Sequence, residues 1–253
     1  MAEDGGVCGQ GGRPVAVLLP GAGSSADFVT RAFGGPLRAA GYDLVAGAPA
    51  PGGSVVEASF GVLAAARRSY GPRLRIVGGV SLGAHVAARW VAGSAGIGPD
   101  GPDGLDGLLL ALPAWTGAPG AVAGATAAAA GEVTRWGVAG AASRAARGGE
   151  PWIAAELAAA WPAYGDRLPA TLRAAATAAG PSPGELRSLD VPAGVVSFVD
   201  DPLHPLAVGE EWVALLPRAA LARLRLADVA SDRSVLGSAA LRALSGCAST
   251  PPR

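Results

Sequence analysis

Short apolar runs alternate with longer segments of helical spacing along most of this chain, and that alternation constrains the fold more than any other feature. The runs are Val15 to Pro20, Tyr42 to Gly47, Leu74 to Val80, Leu108 to Leu112, Val195 to Val199 and Leu221 to Leu226. They are largely continuous rather than strictly alternating, which is the pattern of strands covered on both faces. Helical patterns follow Ser25, Val55, Leu82, Leu206 and Ser234. Strands that alternate with helices are joined by crossovers, so the sequence predicts an α/β domain with a mostly parallel sheet and helices on both faces. A chain of 253 residues is long enough to bury one such core and to carry an insertion.

The rhythm breaks between Leu112 and Val195, where Ala, Gly and Pro dominate and no strand signal stands out. A compact domain rarely holds so long a structureless loop. Helices are therefore predicted over Ala121 to Val138, Trp152 to Trp161 and Pro169 to Ala179. The expected organisation is a core of residues 14–114 and 190–246 with a helical cap inserted at 115–189, and loose ends at 1–13 and 248–253. Four of the six tryptophans, Trp115, Trp136, Trp152 and Trp161, fall in the insertion. They could line an apolar pocket or simply pin the cap to the sheet.

Charge and composition narrow the function. A formal net charge of zero gives no basic field to draw nucleic acid or an anionic membrane, so the expected partner is a small acyl or hydrophobic molecule. The chain has no lysine. That excludes a Walker phosphate loop, a Schiff-base lysine for pyridoxal phosphate and a Ser-x-x-Lys hydrolase site, and no cofactor is expected. Cys8 and Cys247 lie near opposite ends without metal-ligand spacing, so neither a disulfide framework nor a metal site is predicted. The acidic start, Glu3 and Asp4, does not resemble a secretory signal, and no apolar run is long enough to span a bilayer. The expectation is a soluble cytoplasmic protein.

Chemistry enters with Gly79-Val80-Ser81-Leu82-Gly83, which follows an apolar run and opens the helical pattern Ala84 to Trp90. A sharp strand-to-helix turn needs small residues two positions either side of its centre, because side chains there would strike neighbouring strands. Such a turn lifts the serine hydroxyl above the sheet at a helix N-terminus, the geometry of a nucleophile elbow. An ordinary glycine-rich turn is the plainer alternative. At the end of the first run, Gly21-Ala22-Gly23-Ser24-Ser25-Ala26 admits two readings. In hydrolases such a loop supplies one backbone N–H of an oxyanion hole and the residue after the nucleophile supplies the other, which here would be Ala22 and Leu82, with Gly21 against the substrate. It also fits a dinucleotide fingerprint, although the second run ends in Ala46-Gly47-Ala48-Pro49 without the acid that would hold a ribose. A third motif, Asp200-Asp201-Pro202-Leu203-His204-Pro205, closes the run Val195 to Val199. Its aspartates could cap a helix or shape the turn.

Together the order of elements, both glycine-containing loops and the aspartate turn resemble the α/β-hydrolase superfamily over roughly Val15 to Leu226. The resemblance implies a serine hydrolase acting on an ester, thioester or similar acyl compound, with Ser81 as nucleophile and Asp201, four residues before Pro205, as the acid. Asp200 is the adjacent alternative. The sequence departs from the family after the last run, where a histidine would be expected and Leu226 to Ser234 offers only acids and an arginine. Of the two histidines, His85 lies one helical turn beyond Ser81 and should pack beneath the site. His204 lies in the aspartate turn and would reach Ser81 only if that turn curls inward. The sequence leaves two classes open: an acyl hydrolase with His204 as base, or a hydrolase-like scaffold that binds a small apolar ligand without Ser-His chemistry.

Overall fold

The apolar runs become six strands: β1 (Val15–Leu19), β2 (Asp43–Ala46), β3 (Leu74–Val80), β4 (Gly107–Ala111), β5 (Ala193–Phe198) and β6 (Ala219–Leu224). Every pairing is parallel, and the strands lie in the order β2-β1-β3-β4-β5-β6. This computed structural model describes residues 12–94, 104–145, 147 and 150–248. Cys8 and most of the expected loose ends lie outside the described residues.

Helices α1 (Ala26–Ala39) and α9 (Ser234–Ala248) cover one face of the sheet, where Phe33, Leu37 and Leu236 pack on Leu18, Ile76 and Leu109. On the other face, α2 (Val55–Tyr70), α3 (Leu82–Ser94) and α8 (Leu206–Leu215) bring Leu63, Val86 and Trp212 against Val17, Val77 and Leu108. Residues from both faces of β1, β3 and β4 are buried, which explains why their sequences read as continuous apolar runs. Large side chains such as Phe33 and Leu108 each stabilise the fold by about 1.5–3 kcal/mol on burial.

Between β4 and β5 the described elements are helical: α4 (Ala121–Ala145), α5 (Pro151–Ala160), α6 (Leu168–Thr177) and α7 (Pro183–Arg187). The predicted helix over Ala121 to Val138 stops beside a sharp bend at Gly137, whose φ of 68° and ψ of 172° interrupt α4 before it resumes towards Ala145. Helix α7 was not expected, because five residues are too few to show a helical period. It is held by a capping box in which Ser182 and Glu185 bond each other's backbone N–H. Ala130, Val133, Ala141, Trp161, Leu168 and Leu172 give these helices a small core of their own. Gly52 N–H also ties α6 to the strand layer by bonding Thr171 Oγ1 at 2.8 Å.

From β1 the chain runs outward to β2 and then returns past β1 to β3, so strand order reverses between β1 and β3. The loops leaving those two strands must diverge, and the crevice between them at their carboxyl ends is where ligands settle in open α/β sheets. Gly21 and Ser81 stand on its two sides.

Candidate active site

At the end of β3 the backbone turns so tightly that Ser81 takes a φ of 54°. A non-glycine residue in that region stores about 1–3 kcal/mol of strain and persists only when its surroundings enforce it. Here Ser81 N–H bonds Ala111 O at 2.9 Å, while Ser81 O accepts from Ala84 N–H at 2.9 Å and His85 N–H at 3.1 Å. The flanking glycines make room for this turn. A Cβ on Gly79 would lie 2.6 Å from both Leu19 O and the Gly83 carbonyl carbon, and one on Gly83 would also strike the Leu19 carbonyl.

The aspartate turn curls inward. His204 Nδ1 lies 2.6 Å from Asp201 Oδ2, and its Nε2 lies 3.0 Å from Ser81 Oγ. An ionised carboxylate can only accept, so Nδ1 carries the proton and Nε2 accepts from the serine hydroxyl. Leu203 N–H donates to Asp201 Oδ1 at 2.7 Å, which tightens the turn and leaves Oδ2 for the ring. Burial alone would raise the Asp201 pKa. The hydrogen bond from His204, the attraction to its ring when protonated, and the backbone N–H groups of Leu203 and His204 outweigh it and hold the carboxyl below the usual range.

Asp200, the adjacent alternative, points away from the imidazole and accepts from Leu226 N–H at 2.9 Å. The segment after β6, where the resemblance placed a histidine, is thereby occupied by a short turn over Leu226–Val229. Trp152 of α5 seals it by donating from Nε1 to Leu226 O at 3.1 Å. His85 lies beneath the site as expected, 1% exposed, with Trp115 and Trp212 at 4.9 and 5.4 Å between ring centroids. Its Nε2 accepts from Ala114 N–H at 3.0 Å. It does not contact Ser81 through its ring.

Ser81, Asp201 and His204 open onto a cavity of about 250 Å³. Gly21, Ala22 and Leu82 line it from the core, and Trp115, Trp152 and Trp161 line it from the segment between β4 and β5. Trp136 does not. It is 46% exposed, flanked by the guanidinium groups of Arg135 and Arg144 at 4.7 and 5.3 Å from its ring. Among the described residues, the N–H groups of Ala22 and Leu82 make no backbone hydrogen bond outside regular elements, and the β1 loop is closed by Ser24 N–H to Gly21 O at 3.0 Å. Sequence reasoning missed several wall residues, among them Phe28, Phe198, Leu203 and Leu112. Leu112 has a φ of 55° just before Pro113, a strain with no signal in residue spacing.

No family model and no curated protein sequence matches the chain. Solved structures do. A candidate non-heme bromoperoxidase, BpoC, from Mycobacterium tuberculosis aligns at a TM-score of 0.67 and 16% identity over 94% of each chain. A hydrolase from Pseudomonas aeruginosa aligns at 0.64 and 21% identity over 92% of this chain and 90% of the other. The esterase RhEst1 from a Rhodococcus species aligns at 0.61 and 19% identity over 92% and 88%. At such identities the likeness establishes architecture alone, and the architecture shared is the α/β-hydrolase fold.

Proposed function

We propose that this α/β-hydrolase-fold protein hydrolyses esters or related acyl compounds with an apolar acyl group, using Ser81 as nucleophile, His204 as base and Asp201 as the group that orients the base. The observation that carries this reading is the single imidazole held 2.6 Å from Asp201 and 3.0 Å from Ser81 Oγ. A serine hydroxyl attacks acyl carbon only when a base takes its proton, and this is the reach such a transfer needs. Ser81 gives its proton to His204 Nε2 as Oγ bonds the carbonyl carbon. The oxygen that gains charge is held by the N–H groups of Ala22 and Leu82. The leaving oxygen takes the proton back from His204, and water, deprotonated by the same ring, releases the acyl group from Ser81.

The cavity supports the substrate class, since its walls are mainly Leu, Ala, Val, Ile, Phe and Trp side chains. The scaffold reading rests on the want of a histidine after β6, and the contacts of His204 with Asp201 and Ser81 favour the hydrolase over it. The test pairs a fluorophosphonate probe with steady-state hydrolysis of p-nitrophenyl butyrate. Ser81→Ala should abolish labelling, and His204→Ala should lower kcat by about 10⁴-fold or more with little change in melting temperature. Absence of labelling in the wild-type protein, or robust turnover in purified His204→Ala, would defeat the proposal.

A further inference from the structure

We infer that Tyr164 is a positioning residue for this reaction: from the segment between α5 and α6 it holds the β1 loop that presents the Ala22 N–H, an inference that rests on the Ser81 reading above. The loop Gly21 to Ser25 gets little help from its own side. Ser24 N–H closes on Gly21 O at 3.0 Å, and Ser25 Oγ is committed to capping α1 through Phe28 N–H at 3.1 Å. Further support comes from the segment between α5 and α6. Tyr164 Oη donates to Ser24 O at 2.5 Å, across 140 residues of sequence. The carbonyl two residues beyond Ala22 is thus tied to this hydroxyl.

Packing reinforces the tie. Gly23 has a φ of 72°, and a Cβ there would lie 3.0 Å from Trp161 Nε1 and 3.4 Å from Leu172 Cδ2. Tyr164 N–H in turn bonds Trp161 O at 3.0 Å, so the ring that lines the cavity and the phenol that holds the loop move as one turn. The oxyanion donor is therefore aimed by residues outside the strand layer. Such donors act only when held within about 0.5 Å of the productive geometry.

Removing an oxyanion donor outright costs about 10²–10³ in kcat. Loosening one should cost less. With p-nitrophenyl butyrate, Tyr164→Phe should lower kcat by about 10–100-fold while KM stays within about twofold, because the cavity walls that bind the ground state are untouched. Affinity for butylboronic acid, whose tetrahedral adduct on Ser81 carries the corresponding oxygen, should fall in parallel with kcat. Thr171→Val cuts a separate tether between this part of the chain and the strand layer, the bond from Gly52 N–H to α6, and should lower the melting temperature while keeping kcat. Gly23→Ala pushes the same loop from the other direction and should reproduce the kcat loss, so it carries the test if Tyr164→Phe fails to fold. The inference is overturned if Tyr164→Phe keeps wild-type kcat, if its loss lies only in KM, or if Thr171→Val loses as much kcat. A wild-type protein with neither turnover nor labelling would defeat the Ser81 reading, and the positioning role with it.

Discussion

The two histidines meet opposite environments, and the difference decides what each can do. His204 is 18% exposed at its side chain and has a carboxylate on one ring nitrogen and a hydroxyl on the other. His85 is enclosed by Trp115 and Trp212, and burial, helped by the nearby Arg89 and by His204 whenever that ring is protonated, pushes its pKa down to about 3. It stays neutral and holds the Ala114 N–H, fixing the loop that carries Trp115 into the cavity. Because the folded value lies below the ordinary 6.5, the unfolded chain binds a proton that the folded one refuses. The stability tied to this neutrality is complete above about pH 6.5 and is lost as pH falls towards about 3, at up to ~1.4 kcal/mol per pH unit. Denaturant melts between pH 7.5 and pH 4 should therefore show a steeper acid loss for the wild type than for His85→Gln. Parallel losses would place the acid sensitivity in other groups.

Among the elements, helix α5 is attached to the strand layer by charge as well as by packing. Glu156 receives two hydrogen bonds from Arg31 of α1, at 3.0 and 2.5 Å, and one from Arg233 just before α9, at 3.0 Å. Arg233 also lies over the Trp152 ring, 4.6 Å from its centroid. Side chains of Glu156 and Arg233 are mostly buried, while Arg31 is nearly half exposed, so water screens only part of the cluster. Glu156→Ala should release α5 by about 1–3 kcal/mol. Hydrogen exchange should then rise in residues 151–160 and stay unchanged in β3 and β4, and a uniform rise would instead mean that the whole fold has loosened. The boundaries of elements were legible in proportion to their side chains. Helices α1, α2, α3, α8 and α9 begin within a residue or two of their predicted starts. Strands β5 and β6 begin two residues early, on Ala193-Gly194 and Ala219-Ala220, which carry little β-propensity and are recruited because their neighbours pair. The second limb of α4, after Gly137, was missed because an Ala- and Gly-rich helix shows little contrast between its faces.

At the scale of the whole molecule, the cavity belongs to neither layer alone. Its core side comes from loops after β1, β3, β4 and β5, and its other walls come from α4, α5, α6 and the turn at Trp161. Among the described residues no helix is long and apolar enough to cross a membrane. If the protein acts as proposed, the Ala-lined wall of α4 sets how much acyl chain the space takes. Ala129→Phe should fill part of it, lowering kcat/KM for p-nitrophenyl octanoate by about tenfold or more while leaving the acetate ester within about twofold, since each excluded methylene is worth about 1 kcal/mol or more. An equal loss on both esters would show that Ala129 borders the reacting atoms rather than the chain.

Sequence alone determined the α/β class, most strand and helix positions, the elbow at Ser81 and the aspartate turn, because each is written in local periodicity or in small residues at fixed spacing. Whether any histidine could serve Ser81 was not written there. His204 lies 123 residues from Ser81, and its usefulness depends on which way a three-residue turn aims a ring. The same holds for Asp200 and Asp201, neighbours in sequence that bond Leu226 and His204 respectively. Tyr164 gives no local signal at all, since its partner Ser24 is 140 residues away. Periodicity reports which face of an element is buried; the direction of a side chain in a turn, and what stands opposite it, are set only when distant segments pack.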